Sequence, residues 1–84
     1  MIEPKVRAVV DMIASVLEIP RSDIQADSSM ESLPQWDSIA HLNICLAFEK
    51  RFGIAMDMKS IAHSTSVAAL VELVPRDRVL RPDL

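Results

Sequence analysis

Apolar residues recur along this chain at helical spacing, and the pattern divides it into four segments. Val6, Val9, Val10, Ile13, Val16 and Leu17 repeat every three or four residues, which predicts a first helix over residues 4–18. Pro4 suits its first position, where no N–H is needed, and Pro20 closes it. Residues 20–36 show no period, being interrupted by Asp23, Asp27, Ser28, Ser29, Ser32 and Pro34. A connection of that length in a small domain is either functional or pinned. Ile24 and Leu33 are the expected pins. Periodicity resumes over residues 38–52, and Gly53 supplies the left-handed residue that ends the helix. A short third helix is expected over residues 57–62, with Met58 and Ile61 buried. Ser64 or Thr65 is placed to cap a fourth helix, whose stripe of Val67, Leu70, Val71 and Val74 stops at Pro75. The reading is one all-α four-helix domain over residues 1–75, followed by a flexible tail over residues 76–84.

The second helix carries two stripes. Projection at about 100° per residue groups Ile44, Cys45, Phe48 and Phe52 on one broad face. Ile39, Leu42 and Leu46 fall on another, with Glu49 between the two. Both phenylalanines belong to the first group, which makes it the core face. The second group has two readings from periodicity alone. Either the long connection wraps over it, or it is a semi-exposed ridge on which a partner docks.

Immediately before that ridge stands Asp37-Ser38. Aspartate at a helix N-cap accepts a backbone N–H that has no partner within the helix. Serine in the following turn then sits at the positive end of the helix dipole, where a phosphodiester would be stabilised.

Composition narrows the function classes. Half of the 84 residues are hydrophobic, enough for a core in a domain near the lower size limit. A net charge of −3 and few aromatic residues argue against nucleic-acid binding. No apolar run approaches a membrane span, and no secretory pattern follows Met1. A single cysteine excludes an intrachain disulfide and suits a reducing compartment. A cytoplasmic monomer is expected.

His41 and Cys45, four residues apart, share a helix face, a spacing compatible with a metal or a Cys–His pair. Two ligands do not make a site, and Cys45 among Ile44, Phe48 and Phe52 reads as a small core hydrophobe. No stored metal is expected. His63 reads as a surface or helix-end residue. Met56 and Met58 read as gap fillers, although adaptable side chains of this kind also let a core open around an acyl chain. Trp36 either packs the connection onto the helix or touches a partner. No Ser-His-Asp order, paired-carboxylate site or glycine-rich phosphate loop is present, so no catalytic residue is assigned.

The run Trp36-Asp37-Ser38-Ile39, then Leu42, Phe48-Glu49 and Phe52-Gly53-Ile54, resembles the acyl carrier proteins. The similarity extends over most of the chain, from the first amphipathic helix to the Ser/Thr-Val opening of the fourth. It implies a four-helix carrier whose Ser38 bears a covalent 4′-phosphopantetheine arm, attached by a separate phosphopantetheinyl transferase. Asp37 would cap the helix and help position magnesium within the transferase complex. Ile39, Leu42, Asn43 and Leu46 would face partners: acyl or aminoacyl ligases, condensing enzymes and transfer enzymes. Members serving fatty-acid synthesis usually have an acidic second helix, whereas here Asp37 and Glu49 are balanced by Lys50 and Arg51. Asn43 stands where that subgroup commonly has an acid, and His41 where it has a small polar residue. A dedicated pathway is therefore the expected setting. The alternatives are an aminoacyl or peptidyl carrier, or an unmodified helical module that docks through the ridge.

Overall fold

In the computed structural model, which describes residues 4–75, the chain forms helices α1 (Pro4–Leu17), α2 (Ser38–Phe52), α3 (Met58–His63) and α4 (Val67–Leu73). The only other helical element among the described residues is a 3-10 turn, Arg21–Asp23. The tail expected over residues 76–84 lies outside the described residues. The fold is the all-α four-helix arrangement that the periodicity predicts.

α1 is the central packing element and lies against both α2 and α4. Val9, Val10 and Ile13 of its stripe are buried with Ile44, Cys45, Phe48 and Phe52 of α2 and Val67 and Leu70 of α4. The helix stops one residue before the expected Glu18. That residue takes a left-handed conformation, φ 58°, and the Ile19 N–H donates to the Ala14 carbonyl at 3.1 Å. The bond satisfies a carbonyl that the last turn would leave open. Gly53 ends α2 similarly, at φ 68°, with its N–H on the Glu49 carbonyl at 2.8 Å.

The connection between α1 and α2 is pinned more firmly than its composition suggests. Ile24 is buried as expected, whereas Leu33 is only partly buried against the core. The strongest anchor is Trp36, 1 % exposed. Backbone bonds then tie the middle of the connection to the start of α4. Met30 N–H donates to the Thr65 carbonyl at 2.9 Å, and Val67 N–H donates to the Ser28 carbonyl at 3.0 Å.

Two expectations fail here. Met58 is not buried but 85 % exposed, because it opens α3 immediately after the Asp57 cap and points away from the bundle. A helix of six residues makes too few turns for its sequence to reveal a buried face. Met56, by contrast, is buried, and Ile61 is partly buried against the core. The cap of α4 is Ser66, not Ser64 or Thr65. Ser66 is held extended by its bridge to Ser29, and its hydroxyl accepts from the Ala69 N–H at 3.1 Å. Ser64 is buried and spends its hydroxyl on the Ile61 carbonyl.

Hydrogen bonding from the Ser60 backbone N–H holds the Asp57 carboxyl below its ordinary value. The contribution of a depressed carboxylate is complete above its unfolded value and is lost as pH falls through the folded one. Asp57→Ala should therefore lower the urea midpoint at neutral pH, with the gap to wild type closing in acid. A gap independent of pH would show that the cap does not act through its charge.

Candidate functional site

The site forms where the connection enters α2. Asp37 is extended, φ −95° and ψ −173°, and its Oδ1 accepts from the Ala40 N–H at 2.8 Å. Its carbonyl accepts the first helical bond, from the His41 N–H at 2.8 Å. Ser38 therefore occupies the first helical position with its side chain exposed. Its own N–H and that of Ile39 belong to the opening turn, where the helix supplies no acceptor.

The two stripes of α2 separate as residues of different kinds. Ile44, Cys45, Phe48 and Phe52 are buried, while Ile39, Leu42 and Leu46 are 74 %, 54 % and 59 % exposed. The connection does not wrap over the second stripe; it stands free as a ridge beginning one residue after Ser38. Asn43 is exposed on the same helix. Glu49, between the stripes, accepts from the Met56 N–H at 2.7 Å and so fixes the turn after α2.

The structure also decides between the two readings of Trp36. Its indole is buried and donates from Nε1 to His41 Nδ1 at 3.0 Å, so it packs the connection onto α2. An indole nitrogen can only donate, so Nδ1 of His41 must be the accepting nitrogen. The ring proton then sits on Nε2, which donates to the Ile61 carbonyl of α3 at 2.7 Å. Residue type gives no sign that His41 is a core residue, yet it is buried. Its spacing held the signal, because it lies four residues before Cys45 and seven before Phe48.

Cys45 Sγ lies 3.6 Å from His41 Nε2, but this is not an activated pair. Burial pushes the thiol up from its ordinary value, the Glu49 charge adds to that, and only a contact with Ser64 opposes it. A thiol raised in this way is a poor nucleophile at neutral pH. Among the described residues, no group of three or more His, Cys, Asp or Glu side chains is placed to hold a metal.

A helical bundle that presents a serine on a capped helix end, beside an exposed apolar ridge, has the construction of a carrier. The chain belongs to the phosphopantetheine attachment site family, whose model matches residues 7–74. It is a phosphopantetheine carrier protein, with the arm as its covalent cofactor, and carrier domains of this family are themselves non-catalytic. No curated protein matches the chain significantly.

The residues present fit such an arm. A phosphodiester at an exposed helix-opening serine would face the N–H groups and positive dipole of the first turn, worth about 0.3–1 kcal/mol at an exposed position. Asp37 is already held as the cap and needs no rearrangement to leave the serine open. No helix among the described residues is long and apolar enough to cross a membrane.

Proposed function

We propose that this protein is an acyl carrier of a dedicated biosynthetic pathway, with Ser38 as its attachment residue. The observation that carries the reading is the pairing of an exposed Ser38 with the free ridge of Ile39, Leu42 and Leu46 on a helix that is charge-balanced together with its Asp37 cap. The arm, when bound, supplies a terminal thiol on which cargo is held as a thioester. Ser38 acquires it on a separate phosphopantetheinyl transferase. The hydroxyl attacks the β-phosphorus of coenzyme A, the P–O–P bond breaks, and adenosine 3′,5′-bisphosphate leaves as the serine proton passes to solvent. Magnesium belongs to that complex. Asp37 commits Oδ1 to the helix, leaving its other oxygen to help place the metal.

The same ridge, with Asn43 beside it, meets the ligase, condensing or transfer enzymes of the pathway. The protein acts in the cytoplasm as a monomer. Incubation with coenzyme A, magnesium and a broad-specificity transferase should add one arm, and peptide mapping should place it on Ser38. An arm on another residue, or none, overturns the assignment. The mass of the loaded form from its native cells then distinguishes the acyl reading from an aminoacyl or peptidyl one.

Recognition should rest on apolar contact more than on opposite charge. Over residues 37–52, the cap and helix together, Asp37 and Glu49 balance Lys50 and Arg51, so this segment offers little long-range attraction. Exposed charges are screened over about 8–10 Å at ordinary salt, and steered association weakens steeply as salt rises. Loading of cargo by the cognate ligase should therefore change only modestly from low to high salt, and Leu46→Ala should slow it. Asp23, Asp27 and Glu31 are exposed on the connection and would restore some steering if they cluster beside Ser38. A steep fall with salt, together with indifference to Leu46→Ala, would show that charge leads.

A further inference from the structure

The bond between Trp36 and His41 does more than bury an indole. It joins residues on either side of Ser38, closing a ring of chain from 36 to 41 that contains the serine. Both ends of this ring are fixed independently. Trp36 N–H donates to the Leu33 carbonyl at 3.0 Å, which sets the approach of the connection. His41 Nε2 donates to the Ile61 carbonyl, near the end of α3, where the helix leaves its last carbonyls without internal partners. All of these groups are satisfied: among the described residues, no buried side-chain nitrogen or oxygen lacks a partner.

The geometry points to Trp36 and His41 as positioning residues for the loading of Ser38, acting without touching the transferase substrate. This rests on the reading that Ser38 is the loaded residue. An exposed side chain on the first turn has few contacts of its own, and helix ends fray. The cap by Asp37 restrains one N–H; the ring restrains the direction from which the chain enters the turn. Trp36 and His41 are both buried, so the ring closes on the core side and leaves the serine hydroxyl on the open side. The ridge is on the opposite stripe of α2, so loss of the ring should leave docking intact and disturb only where the hydroxyl stands. Misplacement of a reacting atom by about 1 Å can cost about a hundredfold in rate.

The test is steady-state loading by a phosphopantetheinyl transferase with coenzyme A and magnesium, under conditions where each variant is folded by circular dichroism. Trp36→Phe and His41→Leu remove the bond. His41→Asn places an acceptor where Nδ1 stands but is too short to reach Ile61. We expect kcat to fall about tenfold or more in the first two, with KM within about twofold of wild type, and kcat to recover in His41→Asn. Unchanged kcat in folded Trp36→Phe and His41→Leu overturns the inference, as does a loss confined to KM. Should those two fail to fold, His41→Asn decides alone: near wild-type kcat supports the ring, and a tenfold loss overturns it. Imidazole nitrogen NMR shifts of the wild type provide an independent check, since a proton on Nδ1 excludes the bond. Failure of the wild type to load would instead sink the Ser38 assignment.

Discussion

Ser38→Ala is expected to accept no arm at all while keeping the stability of the wild type to within about 0.5 kcal/mol. The two halves of that expectation have separate grounds. The side chain is exposed at the first helical position, and the cap on this helix end is made by Asp37, so truncation removes no packing and no cap. Loss of loading follows from where the other hydroxyls are. Ser28 accepts from the Gln25 N–H at 2.8 Å and is buried. The Ser32 hydroxyl accepts from the Ser29 N–H and donates to the Ser29 carbonyl, the Ser29 hydroxyl accepts from the Glu31 N–H, Ser64 is buried on the Ile61 carbonyl, and Ser66 caps α4. Ser15 lies in the interior of α1, Ser22 in a short 3-10 turn, and Ser60 in the first turn of α3 beyond its own cap. None follows an N-cap directly, and none adjoins the ridge. Intact mass after exhaustive incubation with coenzyme A checks the first half, and a urea melt the second. A residual arm on the variant would falsify the assignment. A large loss of stability would show that the hydroxyl has a structural role.

Much of this site was legible because it depends on local rules. An N-cap, a first-turn serine and a left-handed glycine are decided within a few residues, and Asp37, Ser38 and Gly53 stand where such rules put them. The division of α2 into two stripes was also readable from its period. Whether the second stripe was covered was not, because that depends on where the connection runs. Trp36 and His41 explain the outcome. Their bond, with the Ser29–Ser66 bridge, draws the connection onto the core side of α2 and toward α4. The ridge is left open as a result.

The misplaced residues share a cause. Ser64, Thr65 and Ser66 are equivalent as local caps, and only pairing with a connection more than thirty residues earlier selects Ser66. Met58 is apolar in a helix too short to show a period, so its hydropathy carried no direction. His41 is the reverse case, a polar residue inside. It is accommodated because a donor and an acceptor meet its two ring nitrogens from different elements, an arrangement that no pattern along one helix displays.

The two stripes of α2 should respond oppositely to truncation. Phe48→Ala and Phe52→Ala should each cost about 3–5 kcal/mol, the range for an emptied aromatic position in a core. Both rings are buried, and they lie 4.7 Å apart between centroids at a tilt of 50°, so removal of one also strips contact from the other. At about 0.05–0.15 kcal/mol per residue, a chain of 84 residues has only about 4–13 kcal/mol to lose. Either variant should thus be close to unfolding at ordinary temperature. Leu42→Ala and Leu46→Ala remove side chains that are mostly in water already, and each should cost roughly 1 kcal/mol or less. Their effect should appear instead in loading by the transferase or the cognate ligase, as weakened docking of a folded carrier. Denaturant melts of the four variants, paired with loading rates for those that remain folded, separate the two roles. Equal losses of stability across both pairs would place the ridge in the core, and the docking function assigned to it would fail.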